Sequence, residues 1–351
     1  MSLRAQSELM ARVLDAARGS TRRVVFAEGH DQRVLRAVQD ILQAKCAVPM
    51  VVGSAAEIRT KLLDAGIDLQ VGDDFTVIEP KNDHEFLDQW SARKAAIDSG
   101  WKVKNLPGFI RDCRNTAIAA RLVEAGWADS LVCGISGQFQ WHFAQLNSIL
   151  ATLQVRTAAA LSLMVVDDRP LFLADLFVNS RPSSRQIAEI AVAAAGHACA
   201  FGVKPRIILC HGPETLENAA ADRAVMATAR HLIFSDAPQL EVRGPISIEE
   251  ALSAALGEHA SGRNRDGRKP NILIFSTAQA AATARDVLCS VLPAAEFGPL
   301  LLGTANQAHI ASPTTTWQGL VSMAAVAGLN IPGEGVICRG HNGRSAKRQS
   351  D

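Results

Sequence analysis

Apolar positions along this chain fall into short clusters of two kinds, and their alternation predicts an architecture before any single residue is considered. Arg23 to Phe26, Pro49 to Val52, Phe75 to Ile78 and Ser130 to Cys133 are compact, largely β-branched runs with the character of buried strands. Between them lie stretches with apolar residues every three or four positions. These run from Val34 through Ile41, from the Gly53-Ser54 cap through Leu63, over roughly Glu85 to Ile97, and from Phe109 to Ala125. Strand and helix in alternation predict a parallel sheet with right-handed crossovers. From Gly134 to Asn147 (GISGQFQWHFAQLN) a glycine-containing loop leads into a helix.

The pattern then changes. Thr157 to Val166 and Leu171 to Ala174 are two apolar runs joined by Asp167-Asp168-Arg169-Pro170, the composition of a hairpin turn. This switch places the start of a second domain near residue 152. Ser183 or Ser184 caps a long Ala-rich helix that ends at Phe201 before Gly202, and strand and helix patterns resume through Arg206 to Leu209, Glu217 to Phe234, Leu240 to Arg243 and Glu249 to Leu256. The polar segment Glu258 to Lys269 reads as a surface loop, followed by a strand at Asn271 to Phe275 and a helix from Ala278 to Val291. The last apolar run, Pro299 to Leu302, ends at Gly303-Thr304. After a polar loop, Ser312 is expected to cap, and Pro313 to begin, a helix carrying Leu320, Val321, Met323, Ala324 and Ala327. A hydroxyl-rich turn at the positive end of a helix suits an anion, although such turns also connect elements in many α/β domains.

With 351 residues and 48% hydrophobic composition the chain can bury a large core. A formal charge of +1 gives no case for a nucleic-acid or membrane-surface partner. The basic tail after Gly328 is expected to be disordered. Seven cysteines without a CxxC pair suggest neither a disulfide framework nor a zinc ribbon, so they read as reduced thiols in a cytoplasmic protein, with no metal site. No apolar run reaches the roughly 18 residues of a spanning helix, and the N-terminus lacks a signal-peptide pattern.

Neither GxGxxG nor GxxxxGK[ST] is present, which argues against an ordinary nicotinamide site and a P-loop. His142 ends the Gly134 loop and could serve as a base, but a lone helical histidine is more often structural. His211 has the stronger position, since strand C-termini in α/β sheets face ligand crevices. Asp175 and Asn179 flank the hairpin, where Asx side chains commonly bind turn backbone. Arg93-Lys94 is a cationic pair suited to an anion, or equally the solvated face of a mixed-charge helix.

Three segments carry a resemblance. VVFAEGHDQRVLRAVQ resembles the opening of the phosphate acetyltransferases, LADLFVNSRPSSRQIAEIA is similar to their central hairpin-helix segment, and GPLLLG with HIASPTTTWQGLVSM is similar to their C-terminal segment; together they span roughly residues 22 to 328. SLVCGISGQFQWHF and IASPTTT are most similar to the phosphotransacetylase-like C-terminal domain of large bacterial malic enzymes. The resemblance implies a two-domain, three-layer α/β/α fold of the phosphotransacetylase and isocitrate dehydrogenase-like type. Residues 1–151 and 298–328 would form one domain, 152–297 an inserted second, and 329–351 a tail. It also implies a homodimer unit and an acyl-CoA cleft between the domains.

In active members an Asp deprotonates the CoA thiol, arginines hold the phosphate and a serine stabilises the transition state. Here the family's Ser-Arg pair falls on Ser312-Pro313 and its base on Gly319. Arg93 matches one phosphate-binding arginine, while a second falls on Ala144. Losing a positioned base alone typically costs about 10²- to 10⁴-fold in rate. The resemblance therefore implies a regulatory domain binding acetyl-CoA as an effector, with Arg93, Ser312, Thr314, Thr315, His142, Asn179 and His211 as its ligand-binding candidates and no catalytic residue. NADP and a divalent metal would belong to an oxidoreductase portion absent here, which makes the chain an excised C-terminal part. The alternatives are an active phosphate acyltransferase using another base, and a degenerate domain that only holds an oligomer together.

Overall fold

Along β1 (Arg23–Phe26) and into the residue after it, Val24 and Phe26 point to one face of a sheet and Val25 and Ala27 to the other; all four are fully buried because helices cover both faces. Burial on both sides is what an uninterrupted apolar strand requires. The structure, a computed structural model, describes residues 11–80, 106–150, 154–166, 169–213, 217–257, 269–292, 295–304 and 307–328.

The first half alternates as its pattern predicts. Helix α1 (residues 11–17) precedes β1, and α2 (Gln32–Ala44), β2 (Val48–Val52), α3 (Ala55–Ala65) and β3 (Thr76–Ile78) follow. The helical stretch expected at Glu85 to Ile97, with Arg93 and Lys94, lies outside the described residues. Next come α4 (Leu106–Glu124), β4 (Ser130–Cys133) and α5 (Phe139–Leu150). Asp31 caps α2 by accepting a hydrogen bond from the Arg33 backbone N–H, and α2 and α3 both end on a left-handed residue, Lys45 and Gly66.

β5 (Gln154–Val166) and β6 (Arg169–Ala174) form the expected antiparallel hairpin, paired from Ser162↔Leu173 to Val166↔Arg169. Helix α6 (Ser184–Ala200) opens on a capping box in which Ser183 accepts from the Gln186 N–H and the Gln186 side chain accepts from the Ser183 N–H. Then follow β7 (Arg206–His211), α7 (Ala219–Asp236), β8 (Glu241–Ser247), α8 (Ile248–Leu256), β9 (Ile272–Phe275), α9 (Ala278–Val291), β10 (Ala295–Thr304), β11 (Gln307–Ile310) and α10 (Trp317–Gly328).

The eleven strands make one sheet in the order β3-β2-β1-β4-β11-β10-β5-β6-β9-β7-β8. β3, β2, β1, β4 and β11 run parallel, β11, β10, β5 and β6 alternate antiparallel, and β6, β9, β7 and β8 are again parallel. On one face α1, α2, α3, α6, α7 and α10 share a core. The other face carries α4 and α5 over the first half and α8 and α9 over the second. The chain is thus the three-layer α/β/α protein that its resemblance implies.

Three expectations need correction. The polar loop after Thr304 contains a strand, β11, inserted between β4 and β10. Its short, polar QAHI sequence hides a fully buried Ala308, His309 and Ile310. The last helix does not start at Ser312-Pro313: it begins at Trp317, and Thr316 supplies the cap by accepting from the Gly319 N–H at 3.2 Å. Ser312 instead closes a separate turn, with the Thr315 N–H donating to the Ser312 carbonyl at 2.9 Å. Finally, Cys199 is disulfide-bonded, against the reading of all thiols as reduced, whereas Cys46, Cys133, Cys210 and Cys289 are free.

Candidate functional site

Three loops leave neighbouring parallel strands, and one side chain ties them together. Ala27–Asp31 follows β1, Gly134–Gln138 follows β4, and Ala311–Thr316 follows β11. The Arg33 guanidinium donates to both Asp31 oxygens (Nε to Oδ1 at 3.0 Å, Nη2 to Oδ2 at 2.8 Å), to the carbonyls of Pro313 at 2.7 Å and Thr315 at 3.2 Å, and to Ile135 O at 3.4 Å. Burial raises the Asp31 pKa, but hydrogen bonds and the charge of Arg33 outweigh it, and the carboxyl is held below its usual range. Arg33 is correspondingly raised, chiefly by Asp31.

Close backbone approach fixes the same junction. The Ala311 N–H donates to Cys133 O at 2.6 Å, and Gly134 N–H donates to the buried Glu28 Oε1 at 2.7 Å. Gly134 has φ +91°, and a Cβ there would sit 2.7 Å from Ile310 Cγ2 and 2.8 Å from Ala311 O. Only glycine fits this crossing.

Within the turn, Ser312 N–H donates to Thr315 Oγ1 at 2.9 Å, and Ser312 Oγ lies 2.8 Å from Thr314 Oγ1 and 3.1 Å from Thr315 Oγ1. Thr314 is exposed and Thr315 buried. Pro313 is exposed and offers the turn no cation. Gly319 is buried in the first turn of α10, where an added Cβ would meet Thr315 Cγ2 at 3.0 Å. His142 is buried, its Nδ1 2.8 Å from Thr116 Oγ1 and its Nε2 2.7 Å from Ser136 O, so the ring pins the Gly134 loop to α4. Ala144, on the same helix, is partly buried.

A second group forms at the ends of β6, β7 and β9. Asp175 Oδ1 accepts from Ala160 N–H at 2.8 Å, and Oδ2 accepts from the backbone N–H of Asn179 at 2.7 Å and its Nδ2 at 2.6 Å. Asn179 Nδ2 also donates to Ala158 O at 2.8 Å. Burial pushes the Asp175 pKa up in spite of these bonds. Asn179 therefore bridges β5 to the loop that follows β6. His211, at the end of β7, is buried with Nδ1 2.7 Å from Gly212 O.

Immediately beyond Asn179 and His211 opens a cleft of about 980 Å³. Ser180, Arg181, Gly212 and Asp222 line its polar side and Ile248, Leu252 and Val287 its apolar side. Arg181 pairs with Asp222 at 3.5 Å. The two groups meet where Phe139, the first residue of α5, packs on Phe177 with ring centroids 4.9 Å apart. Arg33 and Glu28 were not singled out by sequence; the available signal was the place of Glu28 after β1, beside Gly29, and of Arg33 in the first turn of α2. Among the described residues no cluster of three or more His, Cys, Asp or Glu side chains is arranged to hold a metal, and no helix is long and apolar enough to cross a membrane.

A family model described as phosphate acetyl/butaryl transferase matches residues 8–328. The chain belongs to this family. Among relatives, the chain is 32% identical over 321 residues to the NAD-dependent malic enzyme of Rhizobium meliloti (strain 1021), covering 91% of the chain and 42% of that enzyme. It is 24% identical over 334 residues to the phosphate acetyltransferase of Corynebacterium glutamicum, covering 92% and 97%. The solved phosphotransacetylase of Streptococcus pyogenes shares the fold at TM-score 0.73 and 22% identity, over 94% of this chain and 99% of that one. The chain thus spans less than half the length of the malic enzymes it matches.

Proposed function

We propose that the chain is a phosphotransacetylase-like regulatory domain of a malic enzyme, binding acetyl-CoA as an effector and forming a dimer unit without transacetylase activity. The observation that carries this reading is the Ser312–Gly319 segment. It keeps the family's hydroxyl-rich turn, yet Pro313 and Gly319 stand where the resemblance places an arginine and a base. Arg33 does not replace the arginine, because Asp31 already neutralises it in a bidentate pair. Neither His142 nor His211 replaces the base: both are buried and hydrogen-bonded to backbone carbonyls. Removing a charge-stabilising group typically costs about 10²- to 10³-fold in rate, on top of the missing base.

The cleft supports the binding half of the reading. At about 980 Å³ it lies at the upper end of small-molecule sites, roughly 300–1,000 Å³, and it sits at strand C-termini, where α/β sheets bind ligands. In this reading residues 1–151 with 298–328 form one domain and 152–297 the other, the cleft is lined wholly by residues of the second, and nicotinamide and metal chemistry belong to a separate oxidoreductase portion.

Two measurements on the purified chain test the proposal. Calorimetric titration with acetyl-CoA is expected to give saturable binding, and a coupled assay from acetyl phosphate and CoA is expected to give no turnover. Turnover abolished by His211→Ala would establish the active acyltransferase instead. An absence of heat and of thermal shift at millimolar acetyl-CoA would leave the domain an oligomerising role only.

A further inference from the structure

At the opposite ends of the second-half strands, away from the cleft, lies a separate cavity of about 410 Å³. It is bounded by the end of β5 and the starts of β6, β7 and β9. Among the described residues four cations line it, Arg169, Lys204, Arg206 and Lys269, and no acidic side chain does. Among the described residues the carboxylate that pairs with these cations is that of Glu241, with Lys204 and, at 3.4 Å, with Arg206 Nε. Lys269 donates to the Gly257 carbonyl. Among the described residues neither Arg169 nor Lys269 has an acidic partner. Val166, Leu171 and Leu256 supply an apolar wall.

A chain with a formal charge of only +1 has no general excess of cations to scatter, so gathering four around one concave site is a local arrangement. Like charges held together repel, and they repel most where low-dielectric walls focus their field. One carboxylate offsets part of that repulsion. A ligand with two or more negative groups offsets the rest, and paired guanidinium and ammonium groups match phosphate and carboxylate oxygens equally.

From this arrangement we propose that the cavity is a binding site for a compact polyanion, a small molecule carrying at least two phosphate or carboxylate groups. The site is independent of the acetyl-CoA reading. It uses none of the residues of the strand-end loops and lies at the other end of the sheet.

The test uses the whole chain and two probes, inorganic pyrophosphate and citrate, titrated by calorimetry at low ionic strength. At least one probe is expected to bind saturably, and the probe that binds identifies the anion source. Arg169→Glu with Lys269→Glu is expected to weaken that binding at least tenfold. The single variant Arg169→Glu, at an exposed position, is expected to weaken it several-fold with an unchanged thermal midpoint in the absence of ligand. Arg59→Glu with Lys61→Glu on α3, the same charge change away from the cavity, is expected to leave it unaltered. Equal loss in both double variants would show a non-specific charge effect and overturn the proposal, as would the absence of saturable binding by either probe at millimolar concentration. Binding of acetyl-CoA by the Arg169→Glu variant is expected to equal that of the unaltered chain, so failure of one site does not imply failure of the other.

Discussion

Arg33 makes hydrogen bonds to all three loops, so its geometry matters more than its charge. Lysine at this position keeps the charge but offers one point donor where five fixed donors span Asp31, Ile135, Pro313 and Thr315. Arg33→Lys is therefore expected to lose about 1–3 kcal/mol of stability and to weaken acetyl-CoA binding, read as a lower urea midpoint and a higher calorimetric Kd. A second residue, His309, acts through its protonation state. It is fully buried on β11, its Nδ1 accepts weakly from Leu301 N–H at 3.4 Å, and its Nε2 has no hydrogen-bond partner. Burial, and then the neighbouring His197, lower its pKa from 6.5 to about 3. The unfolded chain takes up this proton as pH falls through about 6.5 and the folded chain does not, so the contribution of a neutral His309 is complete above that pH and is lost progressively down to about 3. His197, lowered by burial, acts in the same direction. Thermal midpoints measured between about pH 7 and pH 4 should fall steeply, and His309→Gln should flatten the slope. Nothing in QAHI marks that histidine as buried, because its burial comes from strand partners distant in sequence.

At the scale of elements, the local pattern carried most of the fold. β1, β4 and α9 occupy the residues their periodicity predicts, and of the two serines that could cap the Ala-rich helix the structure selects Ser183. Ser183→Ala is expected to cost about 1 kcal/mol, read from chemical denaturation. The start of α10 was misplaced because Ser-Pro is a generic helix opening, and only the hydrogen bonds of the folded turn distinguish Ser312 from Thr316. Likewise a glycine after a strand suggests a turn, but its necessity appears only when Ile310 is seen against Gly134. Gly134→Ala combines a left-handed backbone with a clash against side chain and backbone, and is expected to destabilise by about 2 kcal/mol or more. Its effect should appear in the thermal midpoint and in hydrogen exchange of the loops after β4 and β11.

Across the whole molecule the candidate residues divide in two. Ser312, Thr314, Thr315 and His142 lie in or against the loops that Arg33 ties together, whereas Asn179 and His211 immediately precede the cleft-lining Ser180 and Gly212, and sequence order alone did not separate them. The family assignment follows from a match over nearly the whole chain, while the proposed lack of transacetylase chemistry turns on two positions, Pro313 and Gly319. Pro313→Arg with Gly319→Asp tests whether those positions account for the proposed lack of transacetylase turnover. An Asp at residue 319 is accommodated only if Thr315 yields by a few tenths of an ångström, since an added Cβ meets its Cγ2 at 3.0 Å. The double variant is expected to gain measurable acetyl phosphate turnover over the unaltered chain in the coupled assay.

The place of β11 in the sheet bears on how the protein is made. Strands leave a ribosome in sequence order, yet the strand that joins β4 to β10 is the last of the eleven to emerge. Until residues 307–310 arrive, β4 and β10 each hold an open edge, and exposed edges invite pairing with other chains. A chain stopped at Thr304 should consequently aggregate during expression, and nascent chains should depend on chaperones until the final hairpin closes the gap between the two halves of the sheet.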